Sequence, residues 1–283
     1  MEISYLNGHF LPREEIKISP DDRGFLFADG VYEVVKWYAG FFFDMESHVT
    51  RLKRSLSELK INWNNPDLFP SIAHDLIRAN KLEDSYSLVY LQVTRGVARR
   101  THYFPSPEPE PTIYAVTWEI SPEAMPHPDG VKVMIKEDIR WSRCDIKSVS
   151  LLANTLSFQE AHEKGLKECI FIRNGSLTEG SHSNIFFVID GTLYTHPESN
   201  YVLSGVTRRN ILSIAKNAGI KVREEAVPEN MISSCQEAFI TNTSAEISPV
   251  TEIGGIIIGD GNPGPVSRLL REKFDEVIRS LRG

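Results

Sequence analysis

The sequence predicts a two-lobed protein of the α/β class, in which each lobe mixes helices and strands. Three observations favour this class. Strand-like alternation and helical spacing of apolar residues occur in both halves of the chain. A proline-rich stretch without periodicity, Ile120–Pro128, separates the halves. The 283 residues are enough for two compact domains. We therefore predict an N-terminal α/β domain over 1–119, a linker over 120–128 and a C-terminal domain over 129–283.

The N-terminal half contains patterns for two hairpins. Asn7-Gly8 is a two-residue turn of the kind that joins antiparallel strands, and Ala39-Gly40 marks a second turn. Residues 20–24 predict a loop between the hairpins, and a basic, proline-containing loop spans 96–111. The strands predicted in this half are 3–6, 9–12, 31–38, 41–44, 86–95 and 111–117.

Apolar residues at helical spacing predict two helices in the same half. The first spans Glu46–Leu59 with Ser47 as its cap, and the second spans Asp67–Ala79. Helices and antiparallel strands that follow one another in this way indicate an α+β lobe.

The C-terminal half is predicted to contain three helices, at 150–164, 206–218 and 266–281. Asn-Gly and Asp-Gly turns predict that strands 168–173, 184–189 and 192–195 form an antiparallel meander, with further strands at 131–135 and 238–242. The glycine-rich segment 259–264 lacks the ending of a phosphate loop and the dinucleotide pattern, so it predicts a plain loop.

Composition argues against several function classes. A net charge of -7 and a pI of about 5.7 give a nucleic-acid role no electrostatic support. Apolar runs are too short to span a membrane, and the first residues lack the pattern of a signal peptide. Three widely spaced cysteines and the histidine spacing offer no disulfide framework or metal ligand set. We expect a cytoplasmic protein without a metal.

Two segments suggest chemistry with pyridoxal phosphate (PLP). Lys147 lies between a strand pattern and a helix pattern, and a lysine held in a pocket can become neutral and form an imine. Glu179 follows the Asn174-Gly175 turn, and a fixed carboxylate is what a pyridine nitrogen needs to stay protonated. Neither segment is specific by itself. The alternative is a surface lysine and a hairpin carboxylate.

Phosphate-binding groups are the second signal. Ser204-Gly-Val-Thr207 opens a helix, whose free N–H groups suit a phosphate, and Thr207 adds a hydroxyl. Thr241-Asn-Thr-Ser-Ala245 offers further hydroxyls and amides, and Arg51 could bind phosphate oxygens in bidentate fashion. The alternatives are an ordinary helix cap, a polar turn and a solvated or paired arginine.

The basic segment 95–102 allows three interpretations. It is a solvated turn, an RNA contact, or a binding site in which Arg100 and His102 bind an anionic substrate. An acidic chain and the lack of interleaved aromatic residues argue against RNA. Arg100 and His102 are alternate residues, so they share a face if the loop is extended.

The motifs in their order resemble those of the class IV (fold type IV) PLP-dependent aminotransferases, and within them the D-amino-acid aminotransferases of the bacillary type. The resemblance covers nearly the whole chain, and its motifs are specific in combination. The segments that carry it are 22–36, 92–96 with Arg100 and His102, 138–141, 144–148, 160–165, 177–180, 205–208 and 246–250.

This resemblance implies a role for each matching residue. Lys147 would form the Schiff base with PLP in a cleft between the lobes, and Glu179 would pair with the pyridine nitrogen. The phosphate would be held by Arg51, Thr207, the Val206 N–H and Thr243. Tyr32, Arg100 and His102 would bind the substrate carboxylate, the last two from the partner subunit of a homodimer. Two residues depart from the bacillary pattern, since His182 and Asn242 stand where it has serines.

The implied activity is transfer of an amino group from a D-amino acid, of the D-alanine or D-glutamate type, to a 2-oxo acid. Small-molecule amino acids and 2-oxo acids are the expected partners, without nucleic acid or membrane. Two alternatives share the fold, a branched-chain L-amino-acid aminotransferase and an aminodeoxychorismate lyase. A third alternative is a non-enzymatic PLP-binding or scaffold protein.

Overall fold

The structure is a computed structural model that describes residues 2–282. Its chain forms two compact units. The first contains the chain through Ser121 together with Ile146–Ser150, and the second contains Pro122–Asp145 and the chain from Leu151 onward. The predicted domain limits remain a prediction. They differ from this grouping chiefly at Ile146–Ser150, whose backbone pairs with a strand of the first unit through Val31 and Ser148.

The first unit has one antiparallel sheet of five strands in the order β2-β1-β5-β4-β3. Helices α2 and α3 contribute Leu52, Leu56, Phe69 and Leu76 to its buried core. The elements are β1 (Ile3–Leu6), β2 (His9–Pro12), α1 (Arg23–Phe27), β3 (Gly30–Tyr38), α2 (Met45–Leu59), α3 (Phe69–Ala79), β4 (Tyr86–Thr94) and β5 (Thr112–Glu119), with 3-10 turns at Arg13–Glu15, Pro66–Leu68 and, at the start of the second unit, Pro122–Ala124.

Three predictions for this unit were wrong in detail. Helix α2 begins at Met45 after Asp44, so Ser47 lies inside it and is not its cap. The first turn predicted for the second helix is a separate 3-10 turn, because Pro66 and Pro70 interrupt the helical hydrogen bonds there. Residues 41–44 form no strand, and only a single bridge joins Phe42 to Trp37.

The second unit has a mixed sheet of ten strands. Its order is β11-β10-β9-β13-β14-β6-β7-β8-β12, and β15 pairs with β14. The elements are β6 (Val131–Glu137), α4 (Leu152–Glu163), β7 (Glu168–Arg173), β8 (Ser176–Gly180), β9 (Asn184–Ile189), β10 (Thr192–Thr195), α5 (Val206–Asn217), β11 (Lys221–Glu224), β12 (Val227–Pro228), β13 (Glu237–Asn242), β14 (Glu246–Ile253), β15 (Ile256–Ile257) and α6 (Pro265–Leu281), with a 3-10 turn at Glu229–Ser234.

The predicted meander was wrong, because β7 and β9 are not neighbours in the sheet. Strand β7 lies between β6, to which it is parallel, and β8. Strand β9 pairs with β10 and β13. The chain therefore leaves one part of the sheet after β8 and enters another at β9, and the turn over 181–183 joins these parts. This turn brings together two strands that carry residues of the candidate site, because Glu179 lies on β8 and Asn184 begins β9.

Within residues 2–282, no helix is long and apolar enough to span a membrane. The same residues contain no group of three or more His, Cys, Asp or Glu side chains arranged to hold a metal ion.

Candidate active site

Lys147 is fixed through its backbone to two elements of the first unit. Its N–H donates to the Ser55 hydroxyl on α2 over 3.2 Å, and its carbonyl accepts from the Tyr32 N–H on β3 over 3.0 Å. The lysine amine lies 4.2 Å from the centre of the Tyr32 ring. These two backbone hydrogen bonds set the direction in which the side chain leaves the backbone, and the amine lies over the aromatic face.

Arg51 is held by a buried carboxylate on the neighbouring strand. Its Nε and Nη2 donate to the two oxygens of Glu33 over 2.7 and 2.8 Å, and His48 Nδ1 lies 2.8 Å from Glu33 Oε2. Burial alone would raise the pKa of Glu33, because it disfavours the ionised carboxylate. Arg51 and His48 outweigh burial and hold this pKa well below its usual range. The bidentate pair fixes the plane of the guanidinium, which is the property an anion-binding arginine needs.

Arg100 and His102 both lie against the ring of Phe27 at the end of α1. The guanidinium carbon of Arg100 is 4.9 Å from the ring centre, and the His102 ring meets it edge to face at 5.6 Å. Both side chains are exposed. Tyr32, the third residue assigned to the substrate, stacks on Tyr90 at 5.6 Å.

Glu179, in the second unit, is a buried carboxylate with defined partners on both oxygens. Oε1 accepts from Arg140 Nη1 over 2.7 Å. Oε2 accepts from Asn184 Nδ2 over 3.0 Å and from the Leu203 N–H over 2.9 Å. Burial raises the pKa of Glu179, and the Arg140 charge acts in the opposite direction. Oε1 keeps acceptor capacity beyond its contact with Arg140, so the group could accept one further proton donor.

Sequence reasoning missed the importance of Arg140. This arginine pairs with Asp138 through Nε and Nη2, each over 2.9 Å, and lies 4.4 Å from the centre of the Phe171 ring. Although burial opposes it, the two carboxylates raise the pKa of Arg140, which therefore stays cationic. The motif over 138–141 contained the signal, because an Asp and an Arg two residues apart can pair locally, and here the Arg140 N–H also donates to Asp138 Oδ1.

The start of α5 has the features of an anion site. Gly205 precedes the helix, and no side chain caps its first N–H groups. A Cβ at Gly205 would lie 2.0 Å from Asn184 Oδ1, so only glycine fits this close approach. The Thr207 hydroxyl donates to the Asn242 carbonyl over 3.2 Å, which ties the helix to the turn that carries Thr243. Contact between Thr207 and a phosphate therefore requires this hydroxyl to rotate.

Two further observations test whether a phosphate suits this place. The buried Thr241 hydroxyl has no hydrogen-bond partner within the described chain. Asn242, one of the two departures, closes the following turn, because its Oδ1 accepts from the Ala245 N–H over 2.7 Å. The start of α5 therefore offers uncapped N–H groups and a glycine that no other residue can replace, and Thr241 offers a hydroxyl without a partner among the described residues. These features suit an anionic group that accepts hydrogen bonds.

The other departure, His182, belongs to a buried cluster that sequence reasoning also missed. Glu168 is 0% exposed and accepts from the Ser181 N–H, the Ser181 hydroxyl and the Ser183 hydroxyl over 3.0, 2.5 and 2.6 Å. His182 Nδ1 lies 3.0 Å from Glu168 Oε2. The Glu168 carboxylate thus fixes the turn between Glu179 and Asn184. Its signal was an acidic residue directly before the apolar run over 169–172.

Acid should unfold the protein partly through Glu168. Burial disfavours the ionised form of Glu168, but His182, Ser181 and Ser183 outweigh it and lower the pKa of Glu168 to about 2. The ordinary value is 4.5, so the ionised group stabilises the fold above that pH, and the contribution is lost as pH falls from 4.5 towards 2. We expect Glu168→Gln to remove about 3 kcal/mol of this acid dependence in urea unfolding.

Glu160→Gln is the matched control for that measurement. Glu160 also has a low pKa, because Lys136 and Lys164 pair with it, but its side chain is at the surface, where solvent screens the pairs. The acid dependence of unfolding should change little in this variant. Equal dependence in Glu168→Gln and in the parent protein would contradict the role of the buried cluster.

Comparisons with known proteins identify the family of the chain. The family model for class IV amino-transferases matches residues 30–253. The D-alanine aminotransferase of Staphylococcus aureus (strain N315) is 40% identical over 282 residues, which cover 99% of each chain. The D-alanine aminotransferase of Bacillus licheniformis is 37% identical over 275 residues, covering 97% of this chain and 96% of that protein.

Solved structures show the same fold. The branched-chain amino acid aminotransferase of Escherichia coli superposes with a TM-score of 0.89 at 25% identity, over 98% of this chain and 94% of that one. The T.th. branched-chain amino acid aminotransferase complexed with N-(5'-phosphopyridoxyl)-L-glutamate gives a TM-score of 0.85 at 25% identity, over 97% and 93%. The predicted fold type and the PLP-dependent transaminase activity are thereby confirmed, and the chain belongs to the class IV aminotransferases.

Proposed function

We propose that this aminotransferase acts on D-amino acids, taking the amino group from a donor of the D-alanine or D-glutamate type and passing it to a 2-oxo acid. The observation that carries the proposal is similarity to D-alanine aminotransferases at 37–40% identity along almost the full length of both chains. Similarity to branched-chain enzymes is 25% for the two structures described above, which ranks that alternative second.

The residues of the first unit are assigned to proton transfer and anchoring. When bound, PLP supplies the electron-accepting ring that makes the substrate Cα–H acidic. Lys147 is the residue that attaches PLP, and its amine then takes the proton from Cα and returns it during transfer of the amino group. Arg51 holds phosphate oxygens with a guanidinium whose plane is set by Glu33.

The residues of the second unit are assigned to the ring nitrogen and the phosphate. Glu179 would keep a proton on the ring nitrogen, while Arg140 and the Leu203 N–H hold the carboxylate in place. The N–H of Val206 and the hydroxyls of Thr207 and Thr243 donate to the phosphate. The unpartnered hydroxyl of Thr241 and the uncapped start of α5 support this assignment.

Tyr32, Arg100 and His102 are assigned to the substrate carboxylate. Arg100 and His102 are exposed on a loop, which suits residues that reach the site of a second copy in a homodimer. The homodimer and a cytoplasmic location belong to this proposal, and the absence of nucleic-acid and membrane partners stays a prediction.

Arg100→Ala tests the assignment of the substrate class. A guanidinium makes two charge-assisted bonds to a carboxylate. Losing them should cost about 2–4 kcal/mol of transition-state binding, roughly a 30- to 1000-fold drop in kcat/KM for D-alanine. The bound PLP content should stay at the parental level, because the loop contacts substrate and not cofactor. An amine in which hydroxymethyl replaces the carboxylate should be affected little.

Arg99→Ala is the matched control, because Arg99 is the exposed neighbour of Arg100 on the same loop. It should keep the parental kcat/KM. Parental kcat/KM for D-alanine in Arg100→Ala would contradict the assignment.

A further inference from the structure

Phe27 has a position in the first unit to which the proposed function gives no role. Three groups surround its ring. The guanidinium carbon of Arg23 is 4.7 Å from the ring centre, that of Arg100 is 4.9 Å away, and the His102 ring lies edge to face at 5.6 Å. Both loop residues assigned to the substrate carboxylate therefore contact one aromatic side chain.

Arg23 fixes the loop beside that ring. This arginine is buried, and its Nε donates to Asp29 Oδ2 over 2.8 Å. Its Nη1 donates to the Thr101 carbonyl over 2.8 Å. Thr101 is the residue between Arg100 and His102, so the backbone is anchored at the point from which the two side chains extend.

A second arginine, Arg95 just before the loop, also contacts it. The Arg95 guanidinium carbon lies 3.7 Å from the centre of the Phe104 ring, and the same side chain donates to both oxygens of Asp29. Within residues 2–282, by contrast, the Arg100 and His102 side chains make no hydrogen bond or ion pair. Their contacts with Phe27 are the described interactions that orient these two side chains.

We propose that Phe27 is a positioning residue for substrate binding, which holds Arg100 and His102 in the orientation that grips the α-carboxylate. The inference rests on the proposed function, because that function makes these two residues the carboxylate ligands. A guanidinium already stacked on a ring loses less rotamer freedom when it binds an anion. The benefit belongs to substrate affinity, so removal of the ring should raise KM and leave kcat nearly unchanged.

Phe27→Leu tests this inference, because leucine keeps apolar bulk and removes the aromatic face. KM for D-alanine should rise about 5- to 20-fold, with parental kcat and PLP content. The affinity for D-2-hydroxypropionate, a non-reacting carboxylate of the same shape, should fall by a similar factor in an equilibrium titration. Phe27→Tyr keeps the ring and should restore both values, which separates this role from simple packing.

Phe25→Leu is the matched control. Phe25 lies two residues earlier on α1 and is 77% exposed, so its loss should leave KM unchanged. Thermal unfolding followed by circular dichroism checks that every variant folds.

The double variant Phe27→Leu/Arg100→Ala shows whether Phe27 acts through Arg100. If it does, Phe27→Leu should raise KM by a clearly smaller factor in the Arg100→Ala background than in the parent protein, because the two changes share one interaction. The remaining factor belongs to the contact between Phe27 and His102. A parental KM in Phe27→Leu, or an effect of full size in the double variant, would overturn the inference while leaving the role of Arg100 intact. A parental kcat/KM in Arg100→Ala alone would overturn the proposed carboxylate site, and the role of Phe27 with it.

Discussion

Lys147→Ala is expected to lower the rate of transamination by on the order of 10⁴-fold, because the proposed function gives this one side chain both the attachment of the cofactor and the transfer of the proton. The variant should still fold. The bonds that fix this segment, to Ser55 and Tyr32, use the N–H and carbonyl of residue 147, which alanine retains. PLP should still associate through its phosphate and ring contacts, and a small external amine should restore part of the activity.

Borohydride reduction followed by peptide mapping gives the direct measurement. The parent protein should carry the label on Lys147, and Lys147→Ala should carry none. Lys53→Ala is a suitable control, because Lys53 is a surface lysine of the same unit that pairs with Asp67. Label on a different lysine of the parent protein, or substantial turnover by Lys147→Ala, would show that the assignment is wrong.

Glu179→Gln is expected to lower kcat roughly 10²- to 10³-fold and to weaken PLP binding, because the proposed function makes this carboxylate the group that keeps the ring nitrogen protonated. Charge interactions removed from water are far stronger than those at a surface, which explains the size of the effect. The fold should survive the change. Arg140 keeps its two bonds to Asp138, so no cation is left buried without a partner.

Kinetics with D-alanine and a PLP titration measure this effect, and urea unfolding shows whether the variant is intact. Glu225→Gln provides the comparison, since Glu225 is an exposed carboxylate that pairs with Arg223 across 3.4 Å. Near-parental kcat with normal PLP binding in Glu179→Gln would remove Glu179 from the site.

Strands β3 and β4 were predicted with small errors at their ends, because both are long runs rich in β-branched and aromatic residues. Strand β14 was not predicted. It lies inside the sheet although it contains Pro249, a residue type found mainly in edge strands, and Pro249 stands opposite Phe239. The meander was wrong for a different reason. Strand order depends on pairing between distant segments, which local turn signals do not contain.

The candidate site shows the same limit. Lys147 and Glu179 could be proposed as site residues because their own sequence neighbourhoods resemble a known family, and their roles stay predictions. Arg140 and Glu168 could not be assigned a role, since their significance comes from partners that only folding supplies. Arg140 donates to Glu179, which is 39 residues further along the chain. Glu168, at the start of β7, accepts from Ser181 and Ser183 in the turn that follows β8. A charged residue in an apolar strand signals a buried polar network without identifying its members.

The measurement that tests the central claim most directly is a stereochemical panel of amino donors. The purified protein with PLP is assayed with both enantiomers of alanine, glutamate, leucine and valine, using pyruvate and 2-oxoglutarate as acceptors. We expect D-alanine or D-glutamate to have a kcat/KM at least about 100-fold above that of any L-amino acid, since the reversed hand misplaces either the carboxylate or the Cα–H bond. Efficient transamination of L-leucine or L-valine with poor use of D-alanine would contradict the proposal and favour the branched-chain alternative.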